Sequence, residues 1–220
     1  ELLSELFKEH DNVIMVGGSG LYIDAVCKGF DELPEANPEI RNKIDALLKE
    51  QGIAGLQQLL KELDEAYYHV VDLNNPQRLS RAIEVCLTTG KPYSQYRKGM
   101  EKKRDFNTIK IGLNLPREEL YSRINKRVDI MMDSGLLEEV KSVKDYRQMN
   151  ALQTVGYKEL FDCLDGTTDL NTAVALIKQN SRRYAKRQLT WFRRDVDIKW
   201  FTPDQIQQMI QFINEKRVRK

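Results

Sequence analysis

The sequence predicts an α/β fold built on a parallel sheet, and three observations predict it. Leu2, Leu3, Leu6 and Phe7 recur at helical spacing and lead into Asn12-Val13-Ile14-Met15-Val16. That apolar run is too short for a buried helix but right for a parallel strand covered on both faces. Gly17-Gly18-Ser19-Gly20 then ends the run and opens the helical stretch LYIDAV. Further on, residues 108–115 (TIKIGLNL) read as a strand returning to the sheet, and Pro116 opens another helix. The first unit starts in mid-element, so the sheet is expected to be incomplete at its N-terminal side, with earlier strands preceding Glu1.

The remaining elements follow in order. Residues 29–37, with Pro34, form a loop, and Asn37-Pro38-Glu39 supplies the cap, the N1 proline and the early acid of a helix start. Helices are expected over 38–50 and 54–63, separated by Gly52. A third begins at Asn75-Pro76 and ends at Gly90, since glycine accepts the left-handed backbone that closes a helix. Residues 93–105 are polar, basic and without periodicity. The helix opened by Pro116 carries Leu120, Ile124, Val128 and Met131 on one side, and weaker helical signals cover 136–143 and 156–164. Residues 169–191 read as one long helix, 198–201 as a last strand and 203–217 as a final helix. No internal repeat or low-complexity tract is present.

Composition narrows the class. A chain of 220 residues accommodates one moderately large domain, or a domain carrying a subdomain, with enough apolar residues for a core. No window approaches the roughly 20 apolar residues of a membrane helix, and no charged-then-apolar leader opens the sequence, so a soluble, cytoplasmic protein without a membrane partner is expected. Cys27, Cys86 and Cys163 are widely separated and lack metal-ligand spacing, so they are read as reduced structural thiols, and no metal ligand is assigned in this chain.

Lys and Arg total 35 against 33 Asp and Glu, and this near-balance hides one cationic element. Residues 178–194 (KQNSRRYAKRQLTWFRR) hold seven positive charges, three aromatic rings and no acid. On a helix, Arg183, Arg187 and Arg194 recur one or two turns apart while Ala185, Leu189 and Phe192 turn elsewhere. Cations neutralise phosphates and rings such as Tyr184 and Trp191 stack on bases, so the pattern suits a nucleic-acid backbone; a solvated surface face is the alternative.

Three further constellations carry chemistry. In Gly17-Gly18-Ser19, glycines let a backbone approach a ligand, the following helix start offers N–H groups to an anion, and Ser19 adds a hydroxyl; a purely structural turn competes with this. It is not a Walker A loop, because GxxxxGK[ST] occurs nowhere in the chain. In NNPQRLSRAIEV (residues 74–85), Arg78 and Arg81 lie one turn apart near a helix start, with Gln77 and Ser80 beside them and Leu79, Ile83 and Val85 facing inward. Such polar groups read phosphates or base edges, or else serve as caps and surface charge. In RINKR, Arg123 and Arg127 stand at i, i+4 and repel each other unless an anion lies between them, or unless Glu119 or Asp129 pairs with them.

The order of these pieces is more specific than any one of them. VGGSGLY, NPEIR, NNPQRLSRAIEV ending at TGK, RINKRVDIMMDSGLLEEV, QTVGYKEL and RRYAKRQLTWFRR together resemble the bacterial tRNA dimethylallyltransferases across essentially the whole chain. The resemblance implies transfer of a dimethylallyl group from dimethylallyl diphosphate to N6 of adenosine 37 of tRNA, with Mg2+ in the full-length enzyme assisting diphosphate departure. It implies a P-loop-NTPase-like core of nucleotide-binding, ATP-binding ancestry over 1–37 and 106–220, and a helical insert over 38–105 that contacts tRNA.

For single residues it implies a catalytic role for Ser19 and Arg127 and diphosphate contacts from Gly17, Gly18, Ser19, Arg123 and Arg127. Contact with the tRNA anticodon stem-loop is implied for Ser19, Arg41, the Gln77, Arg78, Leu79, Ser80 and Arg81 block, the Gln153, Thr154, Val155, Gly156, Tyr157 and Lys158 block, and Arg182, Arg183, Lys186, Arg187 and Gln188.

Members of that family also begin with a GxTGxGK[ST]-type loop and a DSxQ-type segment whose Asp is the general base, and neither occurs here. The chain is therefore expected to be a truncated part of the enzyme, inactive by itself. A non-catalytic RNA-binding module and a P-loop nucleotide kinase relative are the alternative functions.

Overall fold

The computed structural model describes residues 2–97, 99 and 102–218. In chain order the elements are α1 (Leu2–Glu9), α2 (Gly20–Cys27), α3 (Pro38–Leu63), α4 (Glu65–Tyr68), α5 (Pro76–Thr89), β1 (Ile111–Leu113), α6 (Arg117–Asp133), α7 (Leu136–Ser142), α8 (Tyr157–Leu164), α9 (Leu170–Phe192), β2 (Lys199–Phe201) and α10 (Ile206–Val218). The chain divides into two compact units, one made of residues 1–23 and 106–220 and the other of residues 24–105.

The second unit is helical because its sequence caps its helices. Asn37 Oδ1 accepts the amides of Glu39 and Ile40 at 3.0 and 3.2 Å, and Asn75 Oδ1 accepts that of Arg78 at 3.1 Å. Gly90 ends α5 in the left-handed region, as its position predicted. The two helices expected on either side of Gly52 are both present, numbered together as α3, and they are separated where Gly52 leaves the helical backbone with φ 65°. The core joins Ile44, Leu56 and Leu60 of α3 to Leu79, Ala82 and Ile83 of α5, with Tyr67 of α4 against them. Asp64, buried between these helices, accepts the Tyr67 amide at 3.0 Å and both the amide and hydroxyl of Ser94 at 2.6 and 2.9 Å. It thereby ties down the first residues of the polar 93–105 segment, of which residues 98, 100 and 101 lie outside the described residues.

In the first unit β1 and β2 pair in parallel, with Ile111 opposite Lys199, Gly112 opposite Trp200 and Leu113 opposite Phe201. Lys110 and Asp195, an ion pair at 2.6 Å, join the chain just before each strand. Helices α6 to α9 enclose a core of Val128, Leu136, Val140, Leu160, Phe161, Ala173 and Ile177. Helix α1 is held by stacking of Phe7 on Phe106 at 5.5 Å.

The α/β class holds, with a smaller sheet than the sequence suggested. The strand expected over residues 12–16 is absent: the segment makes no backbone ladder with any described residue, and Ile14 and Val16 are 87% and 90% exposed. Its apolar run reports a preference for being covered, but a strand exists only through a partner's hydrogen bonds. The stretch 108–115 likewise pairs only over Ile111–Leu113.

Candidate functional site

Helix α9 starts at Asp169, whose side chain accepts the Thr172 amide at 3.0 Å, and it buries Ala173 and Ile177 in its first half. Its second half has no buried residue. With 3.6 residues per turn, Arg183, Lys186, Arg187, Arg193 and Arg194 share one side of the helix, while Gln188 and Trp191 point to the other. Among the described residues no acid pairs with any of these five cations. Arg183 only donates to Asn180 Oδ1 at 3.2 Å, while Arg187 and Arg194 lie over the rings of Tyr184 and Trp191 at 5.7 and 5.6 Å. Two other cations of the run are committed. Lys178 pairs with Asp129 at 2.5 Å, and Arg182 donates to Asn125 Oδ1 at 2.6 Å and covers Tyr121, so both fasten α9 to α6.

The other side of α9 meets the glycine-rich turn. Gln188 Nε2 donates to the Gly18 carbonyl at 2.8 Å. A Cβ at Gly18 would overlap the Gln188 amide, and one at Gly20 would overlap the Trp191 ring. These two glycines therefore admit side chains of the protein itself; Gly17 alone leaves open space beside its backbone. Ser19 is exposed, its carbonyl accepts the Ile23 amide at 3.1 Å, and no described residue holds its hydroxyl.

Arg123 and Arg127 are exposed one turn apart on α6, and no described residue pairs with either. Of the two acids that could have neutralised them, Asp129 is taken by Lys178 and Glu119 pairs with neither. The two arginines follow Tyr121 and Asn125 by two positions, so they leave α6 on the side away from α9. No hydrogen bond among the described residues joins Ser19 to either arginine.

The 153–158 block is largely committed to folding. Gln153 Nε2 donates to the Arg147 carbonyl at 2.6 Å, Val155 packs on the core, and the Tyr157 hydroxyl donates to Glu139, which pushes the Tyr157 pKa up. Buried Glu159 accepts the Gly156 amide at 2.8 Å and Asn180 Nδ2 at 2.7 Å, locking the start of α8 to α9. Thr154 and Lys158 remain exposed.

In the second unit Glu84, 1% exposed, gathers the basic residues of its surroundings. It accepts Arg81 Nη1 at 2.8 Å, Arg41 Nε at 3.0 Å and the Asn37 amide at 2.9 Å. Burial alone would push this carboxyl up, but the hydrogen bonds from Arg81, Asn37 and Arg41 hold it below the usual glutamate range. Arg81 also donates to the Pro34 carbonyl at 2.8 Å. Leu79, fully buried, presents no side-chain surface to a ligand, and Ser80 is half-buried, whereas Gln77 and Arg78 are exposed. Sequence reading passed over Glu84 and Glu159. The signal was there: a glutamate inside the apolar run AIEVC, or three residues beyond a helix-opening glycine, is buried only when paired.

A cavity of about 460 Å³ opens where β1 meets α6, lined by Asn114, Arg117 and Tyr121 on one side and Lys186, Thr190 and Arg193 of α9 on the other. Among the described residues no group of three or more His, Cys, Asp or Glu could hold a metal ion. No helix among them is long and apolar enough to cross a membrane.

Comparison with known proteins gives these features a context. The family model described as IPP transferase matches residues 1–195. The chain is 49% identical over 213 residues to tRNA dimethylallyltransferase 1 of Bacteroides thetaiotaomicron, covering 97% of this chain and 69% of the relative. It is 52% identical over 203 residues to the tRNA dimethylallyltransferase of Christiangramia forsetii, covering 92% and 67%. Among solved structures, the full-length tRNA isopentenylpyrophosphate transferase of Bacillus halodurans superposes with a TM-score of 0.64 at 35% identity, covering 98% of this chain and 70% of that one. A eukaryotic dimethylallyltransferase acting on tRNA shares the fold with a TM-score of 0.70 at 23% identity, over 91% and 54%. The matching family model and these relatives are prenyl-group transferases rather than phosphoryl-transferring kinases or chemistry-free RNA-binding proteins, so neither alternative reading is favoured.

Proposed function

Because the chain belongs to the IPP transferase family, we propose that it serves the transfer of a dimethylallyl group from dimethylallyl diphosphate to N6 of the adenine beside the anticodon of a tRNA, in the cytoplasm. The observation that carries its place in the chemistry is the pair Arg123 and Arg127, two exposed guanidinium groups one turn apart with no acid to neutralise them. As the allylic C–O bond breaks, negative charge accumulates on the departing diphosphate, while N6 forms the new C–N bond and releases one proton. Cations beside the departing oxygens bind that charge more tightly than they bind the intact donor, which lowers the barrier. Arg127 is assigned this role with Arg123 next to it. Ser19, whose hydroxyl is uncommitted, and the open Gly17 backbone are assigned to the same diphosphate, with Gly18 held behind them by Gln188.

RNA is gripped through side chains that folding leaves uncommitted: Arg183, Lys186 and Arg187 on α9, Thr154 and Lys158 before and in α8, and Gln77 and Arg78 on α5. Arg182 and Gln188 position α9, and Arg41, Leu79, Ser80, Arg81, Gln153, Val155, Gly156 and Tyr157 hold the surfaces that present the contacts. In protein expressed from its full coding sequence, Arg127→Ala is expected to slow single-turnover transfer of labelled dimethylallyl about 100-fold with tRNA affinity unchanged. An unaltered single-turnover rate removes Arg127 from the chemistry.

A further inference from the structure

Beyond β1 the chain leaves the sheet at Asn114, turns through Leu115 and Pro116 and enters α6, forming the cavity that α9 closes from the other side. Ligands of parallel α/β sheets sit beyond the carboxyl ends of the strands, which is where this cavity lies. Three features of its wall specify a ligand. Arg117, Lys186 and Arg193 line it without any carboxylate, and none of the three has an acid partner among the described residues. Three like charges around one concavity repel one another until an anion enters. Next to them, Asn114 Oδ1 is buried and receives no hydrogen bond from any described residue, an unmet acceptor that a turn of its side chain toward the cavity would offer to an N–H or O–H. The lining also includes the apolar Leu120 and Leu189 and the ring of Tyr121, which carries the guanidinium groups of Arg117 and Arg182 at 5.1 and 5.8 Å.

An anion, a hydrogen-bond donor and a flat body with apolar faces together describe a nucleoside phosphate. Inorganic phosphate satisfies only the first wall and an alkyl chain only the third. We propose that this cavity binds one nucleotide of the RNA strand, its phosphate among Arg117, Lys186 and Arg193, its base or ribose against Tyr121 and Leu189, and a donor group toward Asn114. The proposal rests on the RNA-gripping reading of α9. Lys186 and Arg193 share the basic side of that helix with Arg183 and Arg187, so a strand following α9 reaches the cavity without leaving its cations.

The test measures binding of a 17-nucleotide anticodon stem-loop RNA, by titration at several salt concentrations, to protein from the full coding sequence. Arg117→Gln is expected to weaken binding ~5- to 10-fold and to lower the log–log salt slope by about one. Asn114→Leu, which removes the unmet acceptor, is expected to weaken binding ~5-fold with the slope unchanged. Arg193→Gln replaces Arg117→Gln if thermal melting shows the latter misfolded. Wild-type affinity and slope in both cavity variants, together with weakened binding by Arg183→Ala, overturn the cavity assignment and leave RNA binding by α9 standing. Absence of salt-dependent binding in the unmutated protein overturns the RNA reading itself. If millimolar adenosine 5′-monophosphate binds the unmutated protein but not Arg117→Gln while stem-loop affinity is equal in the two, the cavity belongs to a free nucleotide and the strand assignment falls.

Discussion

Arg81 on α5 and Arg183 on α9 both lie in basic helices that read as nucleic-acid contacts, yet the fold treats them differently. Arg81 and Arg41 converge on Glu84, a buried carboxylate three residues from one and 43 from the other. Arg183, Lys186 and Arg187 find no acid, because residues 178–194 contain none and the neighbouring Asp129 is held by Lys178. A cationic run therefore acquires its meaning from what packing brings to it. Where a carboxylate is delivered, the guanidinium becomes part of the scaffold; where none is, the charge remains for a ligand.

The most severe way to break this contrast is to remove the acid. Glu84→Ala removes the buried carboxylate on which the Asn37 amide and two partly exposed guanidinium groups converge, and because water can take over the arginines it is expected to destabilise the chain by about 2 kcal/mol in urea titrations. The same carboxyl gives a pH signature. Its folded pKa lies below its unfolded value, so the native state binds fewer protons in acid and stability rises with pH there. The contribution is complete above the ordinary glutamate value, roughly 4.3, and is lost as pH falls through the folded one. Asp165 beside Arg147 and Asp169 beside Thr172 are shifted the same way, so the diagnostic is a difference: Glu84→Gln should flatten the acid limb of the melting curve relative to the unmutated chain. An identical limb would mean that Glu84 is not charged by its partners.

Most helices were legible in the sequence because their signals are local. Asn37 and Asn75 cap, Gly90 terminates, and the 3.6 period shows in α6 and α9 without reference to the rest of the chain. Residues 12–16 were misread as a strand because strand formation depends on a partner that composition does not reveal. Among the candidate residues, the i, i+4 spacing of Arg123 and Arg127 was legible but their lack of a partner was not, since it depends on Lys178 taking Asp129 across two helices, and the commitment of Arg41 and Arg81 to Glu84 likewise needed a contact spanning 43 positions. The cavity around Asn114 was invisible, since it joins residues on α6 and α9 some 70 positions apart that no motif links.

A second way to sharpen the contrast exchanges a stability readout for a binding one. Arg183→Ala combined with Arg187→Ala should reduce stem-loop RNA affinity ~10-fold or more and lower the salt slope by about two, with melting unchanged. Arg81→Ala should do the opposite, costing about 1 to 2 kcal/mol of stability through the buried carboxylate it leaves half-satisfied. Equal behaviour of the two in both assays would erase the distinction between scaffold and ligand-facing arginines.

The smallest expected effect probes the distinction inside a single helix. Lys178 belongs to the same acid-free run as Arg183, and by sequence alone the two are equivalent cations. In the fold, Lys178 meets Asp129 across the α6–α9 interface at 2.5 Å, with the carboxylate about half exposed. Such a pair is worth about 0.5 kcal/mol and is screened by salt. Lys178→Met should therefore lower stability by that amount at low ionic strength and by nothing measurable at 1 M salt. Its effect on the salt slope of RNA binding should stay well below the one unit expected of Arg183→Ala, because its charge is already balanced before RNA arrives. A full unit lost on replacing Lys178 would mean that RNA displaces Asp129, and that a carboxylate on this surface yields to phosphate.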